Sequence, residues 1–409
     1  MMKHFTGLLL LILTLGFQPG AIFPEKNISG EINRNQALNK LRTLPYLSGY
    51  KKASEKSGVV KFNRALVSPG VNLYISGQGP AAYLLDMDGV QLHEWRMKKD
   101  KDHPELAGHH HFRKVYLYPN GDILAICEGT RGLLVKLDKD SNLLWSFTGD
   151  CPNGGPHHDL EVASDGKIFL IASRMITDLN YKGFTLDGPI MEDYITVLTP
   201  GGKEVRSISL IDCFRNSDYT SYLKKMRLSG DVFHTNTIEI LTGAAVDTSP
   251  ILKSGRALIS IPFLDTIAVV DMDEGKVTWA EKEIWKAQHD PSALRNGNIL
   301  IFDNRGGEDD LSRVIEFNPV SGDIVWSYQR GEPEPFLSET CGTAQRLPDG
   351  NTLITDTESG RAFEVTPKNK IVWDFYNPHR TGENGKLIAS LFELIRLSPP
   401  PTFIKKKSE

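Results

Sequence analysis

Cysteine is scarce in this sequence, and no two cysteines stand close enough together to form a metal-binding pair. The chain has 409 residues and four cysteines, Cys127, Cys151, Cys213 and Cys341. Structural zinc sites use closely spaced pairs such as Cys-x-x-Cys, so the spacing argues against a zinc site. Two interpretations remain open for the cysteines: buried thiols, or disulfides in one of three possible pairings if the protein is exported.

An excess of charge of one sign is also absent. Lys and Arg number 47, Asp and Glu number 51, and the formal net charge is −4. A surface that binds nucleic acid is therefore not expected. Hydrophobic residues make up 40% and charged residues 24%, which are ordinary values for a soluble globular protein. The 36 glycines and 23 prolines suit a fold with many turns.

No apolar run near the start of the chain is long enough to span a membrane comfortably. Residues 5–17 are apolar, follow Lys3, and end at Gln18, Pro19 and Gly20. This pattern is typical of a secretory signal peptide, whereas a spanning helix needs roughly 20 apolar residues. We predict a signal peptide in residues 1–23 and a periplasmic or otherwise exported protein. An uncleaved N-terminal membrane anchor remains the alternative, because no A-x-A cleavage site is visible.

A repeat organises the middle of the chain. Each unit has an apolar run, a polar turn with glycine, an alternating apolar run, and, in five units, a second hairpin that ends in tryptophan. Apolar alternation about Asn-Gly or Asp-Gly is a strong hairpin signal. The tryptophans of adjacent units are separated by 47 to 50 residues. Six units begin near Val71, His111, His158, His234, His289 and Cys341.

A period in the high forties with about four strands per unit is typical of propeller blades. We therefore predict an all-β protein with a six-bladed β-propeller over residues 69–378. Two stacked β-sandwiches are the alternative, but a sandwich has no reason to repeat one unit at this spacing. We expect each tryptophan to cover the groove to the next blade. Residues 24–68 are interpreted as a lead-in segment and 379–409 as a C-terminal segment. The stretch 385–401 could be a helix or a closing strand, and 211–231 is an insertion with one short helix.

Histidines occur where successive blades begin. His158 and His289 each stand 8 residues before a turn glycine, and His111 stands 10 residues before one. Since side chains of a strand alternate with period 2, these positions face the same side. The first strand of each blade lines the channel of a propeller, so we expect imidazoles from several blades to converge on one polar mouth. Asp159 and Asp290 follow two of these histidines and are expected behind the channel. Metal coordination remains another use of such a cluster.

These motifs resemble the bacterial arylsulfate sulfotransferase family, over residues 70–378. The motifs are GPHHDLEVASDGKI (155–168), DVFHTNTIEIL (231–241), AQHDPSALRNGNILIFDN (287–304) and LPDGNTLITD (347–356). The resemblance implies an exported propeller that moves a sulfuryl group from a phenolic sulfate ester to a phenol through a sulfated histidine. It implies no cofactor: neither 3′-phosphoadenosine-5′-phosphosulfate nor a metal is needed.

The same resemblance implies roles for individual residues. His289 would be the nucleophile, and His158 would bind the sulfuryl oxygens together with His234, Thr235 and Asn236. Thr343 would add a hydroxyl, and His111 is a further candidate from the second blade. Both substrates would be small molecules, a phenolic sulfate and a phenol.

The sequence departs from the family pattern at one position. The family carries an Arg in the strand after the HTN hairpin, and this chain has Pro262 there. Loss of a guanidinium from an anion site removes charge-assisted hydrogen bonds. Arg174, at the matching place one blade earlier, and Arg305 are the candidate replacements.

Two other functions are compatible with the pattern. A non-catalytic exported propeller that binds a ligand or a partner protein in its channel is favoured by Pro262. A quinoprotein dehydrogenase is favoured by VSGDIVW (320–326) and DEGKVTW (273–279). A channel with several histidines suits that last function poorly.

Overall fold

The fold is a closed ring of six antiparallel sheets. The computed structural model describes residues 49, 51–129, 131–149, 154–329 and 336–404. The innermost strand of each sheet contacts the innermost strand of the next, and the last contacts the first. The prediction of an all-β, six-bladed propeller is therefore confirmed. The predicted signal peptide or anchor in residues 1–23 and most of the lead-in segment lie outside the described residues.

Blades II to V are each built from consecutive stretches of chain. Their second strands are apolar and buried on both faces, as in Ile299–Asp303, because a propeller blade is covered on both sides by its neighbours. Blade II contains β5 (His109–Leu117), β6 (Ile123–Gly129), β7 (Leu133–Leu137) and β8 (Leu143–Phe147). Blade III contains β9 (Gly155–Val162), β10 (Ile168–Ile176), β13 (Ile190–Leu198) and β14 (Glu204–Ser209). Blade IV contains β16 (Thr237–Ile240), β17 (Ala257–Ile261), β18 (Thr266–Asp271) and β19 (Lys276–Lys282). Blade V contains β20 (His289–Ala293), β21 (Ile299–Asp303), β22 (Arg313–Phe317) and β23 (Ile324–Tyr328).

Blades I and VI combine strands from distant parts of the chain. Blade I has the order β30 (Leu391–Leu397), β2 (Val71–Ser76), β3 (Ala81–Leu85), β4 (Gln91–Arg96). Blade VI runs from β24 (Thr343–Arg346) through β25 (Thr352–Asp356) and β26 (Arg361–Val365) to β27 (Ile371–Tyr376), with β1 (Gly58–Phe62) as a fifth, outer strand. Of the two possibilities left open for 385–401, the structure shows the closing strand. The ring thus takes in strands on both sides of the expected range 69–378.

The repeated tryptophans link neighbouring blades, as expected. The indole nitrogen of Trp95 in blade I donates to the carbonyl oxygen of Gly121 in blade II, at 2.8 Å. Trp326 in blade V donates to Pro367 in blade VI at 3.1 Å, and Trp373 closes the ring by donating to Met87 in blade I at 3.0 Å. Each acceptor belongs to a hairpin turn of the next blade. The regular spacing of the tryptophans in the sequence therefore reflects a contact that recurs from blade to blade.

Short elements decorate the ring. The insertion after β14 contains helix α1 (Leu210–Arg215), a 3₁₀ turn (Thr220–Lys225) and β15 (Gly230–Asp231), which pairs in parallel with β13. The remaining elements are α2 (Ala244–Thr248), the two-stranded sheets β11 (Asn180–Tyr181) with β12 (Phe184–Thr185) and β28 (Arg380–Thr381) with β29 (Leu387–Ile388), and four further 3₁₀ turns at Pro104–Leu106, Pro262–Leu264, Glu308–Asp310 and Glu383–Gly385. Every helix in the described part of the chain is too short or too polar to cross a membrane.

Side chains of the inner strands connect all six blades in a closed circuit. Four links run from a side-chain oxygen of one inner strand to a backbone N–H of the next: Asp159 to Ile238, Glu239 to Ala293, Asp290 to Ala344, and Gln345 to Arg396, with lengths of 2.7–2.9 Å. Lys114 supplies the other two links, since its Nζ lies 2.7 Å from Glu393 in blade I and 3.2 Å from Asp159 in blade III. One ammonium group therefore completes the circuit.

Loss of the Lys114 ammonium should destabilise the ring. We expect Lys114→Met to lower the free energy of unfolding by about 3–5 kcal/mol at pH 7, because two buried carboxylates lose their counter-charge. Urea unfolding of the variant and the unmodified protein measures this difference.

Lys139→Met is the matched control. Lys139 pairs with Asp140 at the surface, where the two side chains are 53% and 63% exposed. That variant should leave the free energy of unfolding essentially unchanged. Equal losses in the two variants would contradict the role assigned to Lys114.

Candidate active site

A small pocket opens at the end of the ring axis where the inner strands of blades II to VI begin. All six blades contribute to it, and most of the lining side chains are polar or charged. The lining residues are Arg113, Lys114, His158, Asp159, Asn236, Thr237, His289, Asp290, Gly342, Thr343 and Glu393.

The surroundings of His289 fix the position of its ring proton. Asn304 donates its two amide hydrogens to the carbonyl oxygens of Ser338, at 2.7 Å, and Cys341, at 2.9 Å. Its Oδ1 must therefore accept, and it lies 2.9 Å from Nδ1 of His289. The carbonyl oxygen of Ala287 lies 3.1 Å from the same nitrogen. Nδ1 consequently carries the hydrogen and Nε2 carries the lone pair.

The Nε2 atom of His289 is buried and has no hydrogen-bond partner among the described residues. Burial, together with the nearby charge of Arg113, lowers the pKa of His289 from 6.5 to about 3. The imidazole is thus neutral at pH 7. An unfolded chain binds a proton here between about pH 6.5 and 3 while the folded chain does not, so this residue lowers the stability as the pH falls through that window.

His158 stands between two other imidazoles. Its Nδ1 lies 2.7 Å from Nδ1 of His157, and its ring centroid lies 4.6 Å from that of His234. Burial and the neighbouring imidazoles hold the pKa of His158 well below its usual range. His157 in turn lies with Nε2 3.2 Å from Asp193, whose other oxygen accepts from the backbone of Thr235 at 2.7 Å.

His234 differs from the other two because it has a carboxylate partner. Asp231 accepts from Nδ1 of His234 at 2.5 Å and from its backbone N–H at 2.9 Å. Burial is the largest effect and disfavours the imidazolium, but the charge and hydrogen bond of Asp231, together with the charges of Asp193 and Glu128, outweigh it and raise the pKa of His234 above 6.5. The ion pair therefore contributes fully to stability below pH 6.5, and the contribution is lost as the pH rises through the raised pKa. His234 does not itself line the pocket: its side chain is 31% exposed, and its ring contacts that of His158, which does line it.

Arg113 is a site residue that sequence reasoning missed. It comes from β5 of blade II, its side chain is buried, and it lines the pocket with Lys114. Burial disfavours its charge, yet the Cys341 thiol and Glu128 outweigh this effect and raise the pKa of Arg113. Its Nε lies 3.7 Å from Glu128, and its guanidinium carbon lies 5.3 Å from the ring centre of Phe392. Two adjacent basic residues, Arg113 and Lys114, within the predicted first strand of a blade were the signal available in the sequence.

The other predicted contacts divide into two groups. Asn236 and Thr343 line the pocket. Asn236 donates one amide hydrogen to the carbonyl oxygen of Gln288 at 3.0 Å, which leaves its second amide hydrogen available. Thr235 and His111 lie behind the wall. Thr235 is fully buried, and His111 stacks on Phe392 with ring centroids 4.6 Å apart.

Neither arginine proposed to replace the missing guanidinium reaches the pocket. Arg174 lies in a separate cleft between blades II and III, where it donates to Glu204 at 3.1 Å and Ser207 at 2.8 Å. It stands on the second strand of its blade, and these partners on the outermost strand draw it away from the axis. Arg305 pairs with Glu339. Pro262 begins a 3₁₀ turn at the end of β17, as described below.

The expectation that Asp159 and Asp290 lie behind the channel is wrong. Both line the pocket while also bracing the next blade through the links described above. The cause is the backbone: His158 has φ 59° and Asp290 has φ 51°, left-handed values that non-glycine residues adopt rarely. The β9–β10 and β20–β21 pairings shift register near these residues. Simple alternation of faces therefore fails where the site begins.

Three carboxyl groups, Asp159, Asp290 and Glu393, line the pocket with Lys114, and Glu161 and Glu239 belong to the same inner strands as other lining residues. Burial raises the pKa of Asp290 to about 7, that of Glu161 to about 7 and that of Glu239 to about 8. Within the described residues no group of three His, Cys, Asp or Glu side chains is placed to hold a metal ion.

Three of the four cysteines are free and buried, namely Cys127, Cys213 and Cys341. For these three the structure shows the buried thiol rather than a disulfide. Cys151 lies outside the described residues. Cys341 belongs to the wall of the site, since its Sγ lies 3.6 Å from Nη2 of Arg113.

This arrangement combines a nucleophile and donors for an anion. The neutral, buried imidazole of His289 lines the pocket together with a permanent guanidinium and an amide N–H. His234, whose pKa is raised, contacts the lining residue His158. Such a set can bind an oxyanion and attack its central atom.

Comparison with known proteins gives one family and a fold. The model of the arylsulfotransferase (ASST) family matches residues 114–378. A solved structure of a protein of unknown function from Bacteroides caccae has a TM-score of 0.52 at 12% identity, covering 80% of this chain and 98% of that one. A catalytically inactive virginiamycin B lyase from Staphylococcus aureus, solved with quinupristin, has a TM-score of 0.46 at 12% identity, covering 83% and 99%. No curated protein matches the chain.

The pairing of His234 with Asp231 can be tested by titration. We expect Asp231→Asn to lower the pKa of His234 by about one to three pH units, because burial then acts without a compensating charge. Histidine ring resonances followed by NMR between pH 4 and 9 give this pKa.

Asp165→Asn is the control for this titration. Asp165 pairs with Lys167 on the surface, where the side chains are 53% and 51% exposed, so His234 should titrate as in the unmodified protein. A value for His234 that is the same in Asp231→Asn and the unmodified protein would contradict the assignment.

Proposed function

This chain belongs to the arylsulfotransferase (ASST) family, and on that premise we propose that it moves a sulfuryl group from a phenolic sulfate ester to a phenol through a sulfated His289. The family match supports sulfotransferase activity on small molecules. The observation that carries the finer proposal is the Nε2 atom of His289, which is buried, deprotonated and unpartnered among the described residues, on a side chain that lines the pocket with Arg113.

In the first half-reaction the lone pair of Nε2 attacks sulfur. The N–S bond forms, the bond between sulfur and the aryl oxygen breaks, and the electron pair leaves on that oxygen. The ring of His289 becomes cationic, and the carbonyl oxygen of Asn304, which accepts from Nδ1–H, stabilises this charge. The low pKa of His289 keeps the nucleophile free of a proton at pH 7.

Peripheral oxygens carry most of the negative charge in this kind of transfer, as in phosphoryl transfer. Arg113 supplies the guanidinium for these oxygens in place of the Arg that the family has where this chain has Pro262. The free amide hydrogen of Asn236 and the hydroxyl of Thr343 lie in the same pocket. The donors are held by blades II, IV and VI, so no rearrangement is needed to assemble them.

His234 acts as general acid in the first half-reaction and as general base in the second. In-line displacement places the leaving aryl oxygen on the side of sulfur opposite His289, toward the opening. The imidazolium of His234, kept protonated by Asp231, gives its proton to that oxygen. In the second half-reaction it takes the proton of the acceptor phenol. The phenol oxygen bonds to sulfur, the N–S bond breaks, and the electron pair returns to Nε2.

The first test uses 4-nitrophenyl sulfate as donor and a phenol as acceptor. We expect nitrophenol release that depends on the phenol, with parallel lines in double-reciprocal plots and no transfer from 3′-phosphoadenosine-5′-phosphosulfate. Without acceptor, the protein should retain one SO₃ group on His289, detectable by peptide mass. His289→Ala should lower kcat/KM by about three orders of magnitude or more.

His103→Ala is the control, because that side chain is 43% exposed and contacts Glu105 away from the pocket. Release without acceptor would indicate a sulfatase. No release, or equal activity in His289→Ala, would refute the transferase and favour a channel that only binds a ligand.

The second test separates Arg113 from the arginine chosen by sequence. We expect Arg113→Met to lower kcat/KM about 10²- to 10³-fold, with partial recovery in Arg113→Lys, because a preorganised donor at the developing charge is lost. Arg174→Met should have little effect. The double variant Arg113→Met/Glu128→Gln removes the buried counter-charge, so an equal loss there with a normal Tm excludes misfolding as the cause. The opposite order of effects for Arg113 and Arg174 would overturn the assignment.

A further inference from the structure

The turn that replaces the expected arginine places an aromatic ring beside the site. Pro262 opens a 3₁₀ turn, Pro262–Leu264, directly after β17. The ring of Phe263 in this turn stacks on His234 with centroids 4.8 Å apart and planes at 16°. The neighbours Pro262 and Leu264 are buried, whereas Phe263 remains partly exposed. The turn therefore places one partly exposed aromatic side chain against His234.

A second guanidinium rests on that ring. The Cζ atom of Arg227 lies 3.9 Å from the ring centre of Phe263, a cation–π contact. Arg227 belongs to the insertion after β14. The backbone on both sides of it is held, because Met226 is buried and the carbonyl oxygen of Leu228 accepts from Asp187 at 2.9 Å. The backbone at Arg227 is therefore held in place, and its exposed side chain has a defined contact with Phe263.

The charge of Arg227 has no carboxylate partner among the described residues. The acidic groups closest to it in the chain or on the same turn are already engaged. Asp231 pairs with His234 at 2.5 Å, Glu283 pairs with Lys225 at 2.9 Å, and Asp265 accepts from the backbone of Ala287 at 2.8 Å. An exposed guanidinium held by stacking alone keeps all its donors available for an anion.

A series of ring contacts leads from this cation to the pocket. His158 lines the pocket and meets His234 edge-on at 4.6 Å, His234 stacks on Phe263 at 4.8 Å, and Phe263 contacts Arg227 at 3.9 Å. An acceptor phenol with its oxygen at the sulfuryl group on His289 and its ring along these side chains would have its far end on the side of Arg227.

We propose that Arg227, seated on Phe263, forms an anion subsite at the rim that selects phenols bearing a carboxylate on the ring. The proposal rests on the proposed function, since it assigns the acceptor class of the same site. The guanidinium binds the carboxylate through paired N–H donors, and the aromatic wall of Phe263 and His234 lies along the ring. The insertion thus supplies a second cation near the place where Pro262 removed one.

The test compares two acceptors of 4-nitrophenyl sulfate: 4-hydroxybenzoate, which carries a carboxylate, and 4-methylphenol, which does not. We expect Arg227→Gln to lower the ratio of kcat/KM for 4-hydroxybenzoate to kcat/KM for 4-methylphenol about tenfold, because one charge-assisted contact is lost. Phe263→Leu should lower the same ratio, since it removes the seat of the guanidinium while keeping its charge. Lys224→Gln removes an exposed cation of the same insertion and should leave the ratio unchanged.

Binding measured without turnover separates this inference from the proposed function. Calorimetry with 4-hydroxybenzoate alone should give a Kd about tenfold weaker for Arg227→Gln than for the unmodified protein and for Lys224→Gln. Absence of transfer with this difference in Kd present refutes the sulfotransferase and retains the anion subsite. An unchanged Kd, or a ratio that falls equally in Lys224→Gln, refutes the subsite whether or not transfer occurs.

Discussion

The circuit of links between inner strands is the constraint on which the rest of this structure depends. Each blade buries its faces only against its neighbours. Regular spacing of six blades around the axis therefore requires specific interactions between neighbouring blades. The carboxylates and the amide side chain that reach the next inner strand supply these interactions, and Lys114 completes the ring by joining blades I, II and III. Several of the same side chains also line the pocket. The positions of these site residues therefore depend on closure of the ring.

Close packing of charges lets three histidines within one small volume take different protonation states. His289 is neutral because it is buried and near Arg113, and His158 is neutral because it is buried among other imidazoles. His234 is protonated because Asp231 stands against it. Enzymes commonly separate acid and base in this way, by giving like residues unlike surroundings. In this propeller the difference arises because each histidine comes from a separate blade with its own neighbours.

Much of the fold and part of the site could be predicted from sequence. The regular spacing of the tryptophans and the turn glycines predicted the blades, because both features recur from blade to blade. The closing strand β30 carries neither signal, since it is a single strand without its own hairpin, so its type stayed open. His158 and His289 were placed on the pocket by the alternation of strand faces, whereas Asn236 and Thr343 were placed there by the family motifs.

Alternation failed for His111, Asp159 and Asp290 for one physical reason. Irregular pairing interrupts β5 next to His111 and again between Phe112 and Lys114, and left-handed backbone occurs at His158 and Asp290. A strand that departs from period 2 turns consecutive side chains toward the same side. Local sequence does not encode such a departure, because it is stabilised by the neighbouring blade. Arg174 illustrates the converse: its sequence position matched the family site, but Glu204 and Ser207 on the outer strand hold it elsewhere.

The dependence of blade I on β30 has a consequence for biosynthesis. While the ribosome is still translating the codons before residue 391, blades II to V already have all their strands, but blade I lacks its innermost one. Glu393, a partner of Lys114, is also missing. A chain without this strand has an exposed edge in blade I and lacks one residue of the pocket wall, so ring and pocket can close only once residues 391–397 are in place.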